Sequence, residues 1–232
     1  MKIKKLKKLF WLLVIILILN SIPIYGLHQG LNEFYYKRNA DKKIALTFDD
    51  GPHPRYTRRI LKILSEYNIK ATFFIIGKNV EIYGNVLNEI KDSGHELGNH
   101  TFSHQNIKNK NEAEIISEIE ACNDAIYKQC GVKTKLFRPP GGIMADICIS
   151  NTNILSDYNI IYWSIDTLDW AHEPPQKISD NVIKNIKSGD IILMHDYIGR
   201  NSPTPAALEI MIPELINRGY SFVTVSELIS RS

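Results

Sequence analysis

Five groups of polar residues in this sequence could do chemistry, and each follows a short apolar run. Their central members are Asp49 with Asp50, His100 with His104, Arg138, Asp169, and His195. Two histidines and one carboxylate make a known open metal site, which leaves positions for water and substrate. Of two adjacent carboxylates, one can bind a cation while the other accepts a proton. The residue types therefore allow metal-dependent chemistry with a proton acceptor beside the metal.

Each group taken alone also has a simpler explanation. Asp50 and Gly51 form a common turn pair, and a lone histidine such as His195 is more often structural than catalytic. His100 and His104 are four positions apart, so on a helical turn both imidazoles would project from one face. The turn after Arg138 is more unusual, because two prolines fix the backbone and two glycines permit close approach.

The elements that must position these groups alternate between strands and helices. We predict strands at 44–48, 71–76, 95–98, 135–137, 160–163, 190–195 and 220–224, and helices at 57–67, 80–93, 112–130, 176–187 and 205–218. This alternation predicts βα units and a parallel sheet, and about six to eight units in one domain favour a barrel. No Gly-rich phosphate loop follows the first strand. All five groups fall at predicted strand ends, where parallel barrels carry their active sites.

Taken in chain order, the five groups resemble the polysaccharide deacetylase family, also called the NodB-homology domain or carbohydrate esterase family four. The likeness runs from about Lys43 to about Ile229 and includes the segments 47–51, 71–74, 94–96, 100–104, 138–141, 166–170 and 193–195. The resemblance implies an α/β fold, a distorted (β/α) barrel with about seven parallel strands. It also implies a metal-dependent hydrolase that removes acetyl groups from a glycan.

The resemblance also implies a role for each matching residue. It makes Asp50, His100 and His104 the ligands of a divalent metal, usually Zn²⁺ and sometimes Co²⁺ or Ni²⁺. It makes the proton-handling residues Asp49 as base, Arg138 as its orienting partner, His195 as general acid and Asp169 as the partner of His195. The substrate-binding residues would be the backbone N–H of Gly141 and the acetyl-pocket walls Trp170 and Leu193. Many relatives carry Tyr or Phe where this chain has Gly141, which bears on substrate preference and not on the reaction.

The N-terminal segment 1–26 predicts export. Five lysines between positions 2 and 8 precede an apolar run at 9–19, as in an export signal. This run is shorter than the ~20 residues of a comfortable membrane span. A single-pass anchor on the extracellular face and a cleaved signal, which would leave a secreted or wall-located protein, both stay open. Residues 27–41 are expected to be a polar connector and 42–232 the catalytic domain.

Composition excludes several other classes of protein. The chain has 232 residues and a net charge of +3, to which the N-terminal lysines contribute. No concentrated basic face suggests a nucleic-acid binder. Three cysteines without a CxxC spacing suggest neither a zinc knuckle nor a redox motif. We therefore expect a polysaccharide substrate and contact with the membrane through the N-terminal segment, and the sequence indicates no obligate protein partner.

Three functions remain to be compared. We expect an N-deacetylase acting on an N-acetylhexosamine polymer, with peptidoglycan as the substrate that best fits an exported protein. An O-acetyl esterase acting on a xylan-like glycan is the alternative, since the same site can cleave an ester. A catalytically silent sugar-binding domain is the third interpretation, and the intact set of base, acid and ligands argues against it.

Overall fold

The computed structural model describes residues 31–37 and 40–230. Nine strands are present in these residues: β1 Asn32–Phe34, β2 Lys43–Gly51, β3 Thr72–Ile75, β4 Glu96–Asn99, β5 Leu136–Phe137, β6 Asn159–Ile161, β7 Ile165–Asp166, β8 Ile191–His195 and β9 Ser221–Phe222. The α-helices are α1 Tyr56–Glu66, α2 Gly77–Asp92, α3 Glu112–Cys130, α4 Asp146–Ser150, α5 Pro175–Asn185, α6 Thr204–Asn217 and α7 Val225–Ile229.

The strands form one parallel sheet that curves into an open barrel. Its order is β1-β6-β5-β4-β3-β2-β8-β7, and β9 pairs with the first residues of β2. Within the described chain the two ends of this path, β1 and β7, are not paired with each other. The predicted distorted (β/α) barrel is therefore confirmed, although the short strands β1 and β7 raise the strand number above the expected seven.

Strand β2 shows how the fold separates its core from its chemistry. Because side chains alternate along a strand, its residues divide between two faces. The outward face is apolar and packs in the layer between sheet and helices: Ile44, Leu46 and Phe48. The inward face changes from apolar to polar toward the carboxyl end of the strand: Ala45, Thr47 and Asp49. One nine-residue strand thus contributes both to the hydrophobic core and to a polar barrel mouth.

The helices cover the outer face of the sheet with amphipathic surfaces. In α1 the buried apolar side chains are Ile60, Leu61, Ile63 and Leu64, as the sequence pattern predicts. They join the cluster that contains Phe48, Phe73 and Leu208. Each fully buried aliphatic or aromatic side chain of this size contributes about 1.5–3 kcal/mol. This packed outer layer holds the strand ends in fixed positions.

Three features differ from expectation or lie beyond it. The segment 27–41, expected to be a connector, contains β1, which pairs with β6 in parallel register. The export segment 1–26 lies outside the described residues, so the choice between anchor and cleaved signal stays a prediction. In the ranges that are described, no helix has both the length and the apolar character needed to cross a membrane.

Candidate active site

Asp49 and Arg138 form a buried ion pair inside the barrel. The Arg138 Nη1 donates to Asp49 Oδ1 at 2.6 Å and to Thr47 Oγ1 at 2.9 Å. Its other nitrogens donate to the carbonyl oxygens of Ile161 and Tyr162 on and after β6. Burial lowers the pKa of Arg138, and the negative charge of Asp49 opposes this effect. Because three other fixed acceptors hold the guanidinium, Asp49 Oδ1 has one defined position.

Asp50 is turned into the same site by an irregularity in β2. In a regular strand the neighbours Asp49 and Asp50 would point to opposite faces. The pairing of β2 with β3 shifts register between Asp49 and Gly51, and Asp50 has φ of 77°. Such a bulge redirects a side chain, and here it brings both carboxylates to 3.6 Å from His100 Nε2.

His100 is buried and held in one tautomer. Its Nδ1 lies 2.7 Å from the carbonyl oxygen of Arg138, and a carbonyl oxygen only accepts, so Nδ1 carries the proton. The lone pair of Nε2 therefore faces the two aspartates. Burial is the main influence and lowers the pKa of His100, although Asp49 and Asp50 oppose it. A neutral imidazole oriented by a backbone carbonyl is the usual form of a histidine metal ligand.

His104 reaches the site from an irregular loop and not from a helix. The helical turn on which both imidazoles would share one face is not what presents them, because no helix is formed across 100–104 and Thr101 and His104 both have positive φ. The loop nevertheless brings the imidazole rings of His100 and His104 to a centroid distance of 4.9 Å. His104 Nε2 lies 3.2 Å from Asp50 Oδ1.

The three side chains fit a divalent cation. One ligand atom from each of Asp50, His100 and His104 lies within 4.8 Å of the others. Asp50 Oδ1 is buried without a hydrogen-bond partner in the described structure, although it faces two imidazole nitrogens. An unprotonated nitrogen and a carboxylate oxygen repel each other unless a cation or a proton lies between them. This orphaned oxygen and the donor types match a site for a metal such as zinc.

His195 lies on the other side of Asp49 from the metal-ligand cluster, and the carboxylate of Asp169 holds it there. Its Nδ1 lies 2.7 Å from Asp169 Oδ1, and its backbone N–H donates to Asp169 Oδ2 at 2.8 Å. The Thr204 hydroxyl also donates to Asp169 Oδ2, at 2.6 Å. Burial lowers the pKa of His195, but the hydrogen bond to Asp169 and the charges of Asp169, Asp49 and Asp50 outweigh it and raise the pKa to about 9. The imidazole is therefore protonated at neutral pH.

Strand register places the proton-handling groups side by side. Asp49 pairs with His195, and Thr47 with Leu193, across the β2–β8 contact. Paired residues of parallel neighbours point to the same face, and adjacent strands lie about 4.8 Å apart. Asp49 and His195 therefore both face the barrel mouth as neighbours.

The three expected substrate residues occupy different surroundings. Leu193 is buried on β8, whereas Trp170 is 52% exposed and its indole N–H donates to Asp166 at 3.3 Å. Gly141 lies in the turn Pro140–Gly142 with φ of 62°, a conformation that glycine adopts readily. A Cβ on Gly142 would meet the ring of Trp163, so the turn packs directly against that side chain. The structure thus offers one buried wall, one exposed aromatic wall and a stiff backbone turn.

The sequence analysis missed several supporting residues. Asp196 is buried below the β2 bulge, where its backbone N–H donates to the Asp49 carbonyl at 3.0 Å and its carboxylate accepts from Thr57 at 2.5 Å. Burial raises the pKa of Asp196 to about 8. A Cβ at Gly51 would overlap this carboxylate. Asp196 directly follows His195, which was a usable signal, whereas nothing near Thr204 indicated its contact with Asp169.

Comparisons with known proteins agree with this geometry. A family model described as polysaccharide deacetylase matches residues 36–158. A peptidoglycan-N-acetylglucosamine deacetylase of Bacillus cereus is 40% identical over 193 residues, which cover 82% of this chain and 90% of the relative.

Two solved structures share the fold. A peptidoglycan N-acetylglucosamine deacetylase in complex with 4-naphthalen-1-yl-N-oxidanyl-benzamide superposes with a TM-score of 0.84 at 32% identity, covering 90% of this chain and 97% of that one. A family 4 acetyl xylan esterase from Clostridium thermocellum, with a cobalt ion, gives a TM-score of 0.73 at 35% identity, covering 80% and 89%. The family match, the extent of the B. cereus similarity and the barrel geometry lead to one conclusion: this chain belongs to the polysaccharide deacetylase family.

Proposed function

We propose that this protein hydrolyses the N-acetyl groups of N-acetylglucosamine residues in peptidoglycan. The observation that carries the proposal is the convergence of three pairs or clusters at one barrel mouth. These are the Asp49–Arg138 ion pair, the Asp50 ligand cluster and the His195–Asp169 pair. The similarity to named peptidoglycan deacetylases supports the choice of polymer.

Asp50, His100 and His104 are the residues proposed to hold the metal. A bound divalent cation would polarise the acetyl carbonyl and lower the pKa of a coordinated water. Zn²⁺ suits two imidazoles and one carboxylate, and Co²⁺ or Ni²⁺ accept the same donors. The presence of cobalt in the structure of the similar esterase is in keeping with this range of metals.

Asp49 is proposed as the general base. Its Oδ1 is occupied by Arg138, so Oδ2 is the oxygen that can take a proton from the attacking water. Oδ2 lies 3.6 Å from His100 Nε2, which places it beside the ligand cluster. Arg138 thus holds one carboxylate oxygen of Asp49 in place and leaves the other available to accept a proton.

His195 is proposed as the general acid that protonates the leaving amine. An amide nitrogen leaves poorly unless it receives a proton, and a pKa near 9 keeps the imidazolium charged at neutral pH. Because Nδ1 is bonded to Asp169, the proton that can be transferred is on Nε2. Base and acid therefore stand on adjacent strands on one face, so the reacting carbon can lie between them.

The acetyl group is proposed to bind between Leu193 and Trp170, with the backbone N–H of Gly141 donating to the oxyanion. A buried aliphatic side chain and an exposed indole can enclose a methyl group from two sides. A backbone donor from a rigid turn needs little reorganisation during the reaction. The glycine leaves space beside the turn, because among the described residues other than its chain neighbours only Ile143 comes within 4.0 Å of the position of its missing Cβ.

The test is product analysis with full-length protein. Peptidoglycan, chitooligosaccharides and acetylated xylan are each incubated with the metal-loaded enzyme, and acetate and new amines are measured by mass spectrometry. We expect one acetyl loss and one free amine per modified glucosamine in peptidoglycan, and release about 10²–10⁴-fold slower by Asp49→Asn. Acetate from xylan without any amine product would overturn the proposal in favour of the O-acetyl esterase. Sugar binding without acetate release would favour the silent domain.

The location that fits this substrate is the cell wall side of the membrane, reached through residues 1–26. The lysine-rich start and the apolar run of that segment support export. Cell fractionation and N-terminal sequencing distinguish the two forms. Intact protein in membranes would indicate an anchor, mature protein beginning near Leu27 would indicate a cleaved signal, and wholly cytoplasmic protein would contradict export.

A further inference from the structure

A stack of aromatic rings is built from the two loops that leave β2 and β8 and from helices α1 and α2. His53 and Tyr197 are parallel, with ring centroids 4.3 Å apart and an interplanar angle of 4°. Tyr56 lies 5.2 Å from His53, and Tyr83 meets the same imidazole edge-on at 5.9 Å. None of the roles proposed above uses these four residues, which we call the Tyr197 stack.

Hydrogen bonds hold the two inner residues of the stack, Tyr56 and His53, in place. Tyr56 is buried, and its hydroxyl accepts the backbone N–H of Asn201 at 2.8 Å, which ties the loop after β8 to helix α1. The His53 backbone N–H donates to Thr57 at 2.8 Å. Burial and the nearby charge of Arg55 lower the pKa of His53, so the imidazole is neutral and needs no counter-ion. The stack is therefore a rigid support for its outermost ring.

Tyr197 is that outermost ring, and it is 39% exposed. His53 stacks on one of its faces, so a sugar could pack only on the other. The C–H face of a pyranose ring can pack on such a surface and remove apolar area from water.

The stack lies close along the chain to the residues that are proposed to carry out the reaction. Tyr197 follows His195 by two residues and His53 follows Asp50 by three. An extended chain spans at most about 3.6 Å per residue, so the two Cα atoms lie within about 7 Å and 11 Å of those residues. A sugar that flanks the reacting unit would lie over this region, whereas the acetyl group itself would lie deeper in the barrel mouth.

Another surface with exposed aromatic rings does not lie beside the reacting groups. A groove of about 620 Å³ is lined by Tyr127, Tyr158 and Lys135, among others. Lys135 precedes β5 and Tyr127 lies in the last turn of α3, so the groove opens at the amino-terminal ends of the strands. The catalytic groups lie at the carboxyl-terminal ends, and a glycan held in that groove would not present a sugar to them.

We propose that the Tyr197 stack is a subsite for a neighbouring sugar of the glycan chain, with the pyranose face packed on Tyr197. This inference rests on the proposed function, because it assumes a polymeric N-acetylhexosamine substrate. It assigns Tyr197 to recognition of chain length and not to the chemical step. It also gives the end of β8 and the loop after it two successive tasks, acid catalysis at His195 and substrate binding two residues later.

The experiment compares wild type, Tyr197→Ala, Tyr197→Phe and Tyr127→Ala on chitooligosaccharides of increasing length. Stacking of one ring predicts a KM about 2- to 10-fold higher for Tyr197→Ala on long chains, with kcat nearly unchanged and no effect on the shortest substrate that is cleaved. Tyr197→Phe should retain the wild-type KM, since it keeps the ring. Tyr127→Ala is the matched control, because Tyr127 is 51% exposed on the other end of the barrel, and it should behave as wild type.

Two further readouts separate the possible failures. Metal content of each variant is measured, because loss of metal with an equal fall in kcat at all lengths would mean that Tyr197 only supports the fold, and would overturn the subsite. Unchanged KM at every length would overturn it as well. If wild type releases acetate only from acetylated xylo-oligosaccharides, the proposed function fails. The same length series on that substrate then tests whether Tyr197 binds a flanking sugar. A KM that does not depend on chain length there would refute the stack as a subsite.

Discussion

Replacing Asp169 by asparagine should remove the proton that His195 holds at neutral pH. Asp169 Oδ1 accepts from His195 Nδ1, while Oδ2 accepts both the His195 backbone N–H and the Thr204 hydroxyl. All three partners are donors, and an amide offers only one accepting oxygen. In either orientation of the substituted side chain its NH₂ group would face a donor, so the imidazole would have to give up its Nδ1 proton or lose its contact.

The size of the effect follows from the pKa of His195. The pKa is about 9 in the folded protein, against an ordinary value near 6.5, and this difference corresponds to about 3 kcal/mol favouring the imidazolium. Loss of the Asp169 charge leaves burial as the dominant influence, which lowers the pKa. We therefore expect the basic limb of the pH–rate profile to shift down to about pH 6.5 or lower. Turnover at pH 8 should fall by about 10²–10⁴-fold.

The assay is acetate release between pH 5 and 10 by metal-loaded wild type and Asp169→Asn, paired with an NMR titration of His195. A bound cation partly neutralises Asp49 and Asp50, so the difference between the two proteins is the test, and not the absolute position of either limb. Thr204→Val is the matched control, because it removes a donor to Asp169 but leaves the carboxylate in place. A basic limb that stays in the wild-type position in Asp169→Asn would refute the reasoning.

The same pair makes stability depend on pH. The folded pKa of His195 is raised above its unfolded value, so the stabilisation is complete below about pH 6.5 and is lost as the pH rises through about 9. Denaturant unfolding of the metal-free protein between pH 6 and 10 should show this decline in wild type. The decline should be smaller in Asp169→Asn, where only the part that comes from other groups remains, such as Asp196 with its pKa raised to about 8. An identical pH dependence in both proteins would contradict the linkage.

Four more substitutions test the other parts of the site. Asp50→Asn should lose bound metal and activity together, whereas Asp49→Asn should keep the metal while turnover falls by about 10²–10⁴-fold. Metal analysis combined with kinetics checks this prediction, and the reverse pattern would mean that the two residues have each other's role. Arg138→Met should lower the free energy of unfolding by about 3–5 kcal/mol, because it leaves the Asp49 charge buried and unpaired, and an unfolding curve like that of wild type would contradict the ion pair. Gly51→Ala should cost about 1–3 kcal/mol in the same assay, because its Cβ would overlap Asp196, and an unchanged midpoint would show that the carboxylate can move away.

The sequence predicted the parts of the fold that depend on local pattern. The alternation of β2 and the buried face of α1 can be seen in the order of their apolar residues. The bulge at Asp50 could not be predicted, because it is defined by the register between β2 and β3, which involves residues more than 20 positions apart. Strand β1 was missed for a similar reason, since Asn32 is exposed, Glu33 and Phe34 are only partly buried, and the three residues form a strand through pairing with β6.

The site was predicted where a motif marked it and missed where only tertiary contacts did. His100 and His104 were expected to converge, and they do, but through a loop with positive φ angles and not through a helical turn. Four-residue spacing therefore indicated the ligands without indicating the backbone that presents them. Thr204 lies 35 positions from Asp169, and no local pattern could have connected its hydroxyl to that carboxylate.

The position of the site within the sheet explains how an open barrel can hold such defined geometry. The base, the ligands and the acid come from β2, β8, the loop after β4 and the end of β5, which lie in the continuous stretch β5-β4-β3-β2-β8, and Asp169 joins them from the turn after β7. The unpaired ends of the path, β1 and β7, flank this stretch and do not interrupt it. Arg138 also bonds to carbonyl oxygens at the end of β6, so it connects the base on β2 to the far wall of the barrel. The chain after β1 is also bonded to the chain before β8, because Tyr36 pairs with Asp190 and the Lys37 N–H donates to the Gly189 carbonyl at 2.8 Å. These contacts connect the open edge of the barrel to the strand that carries the acid.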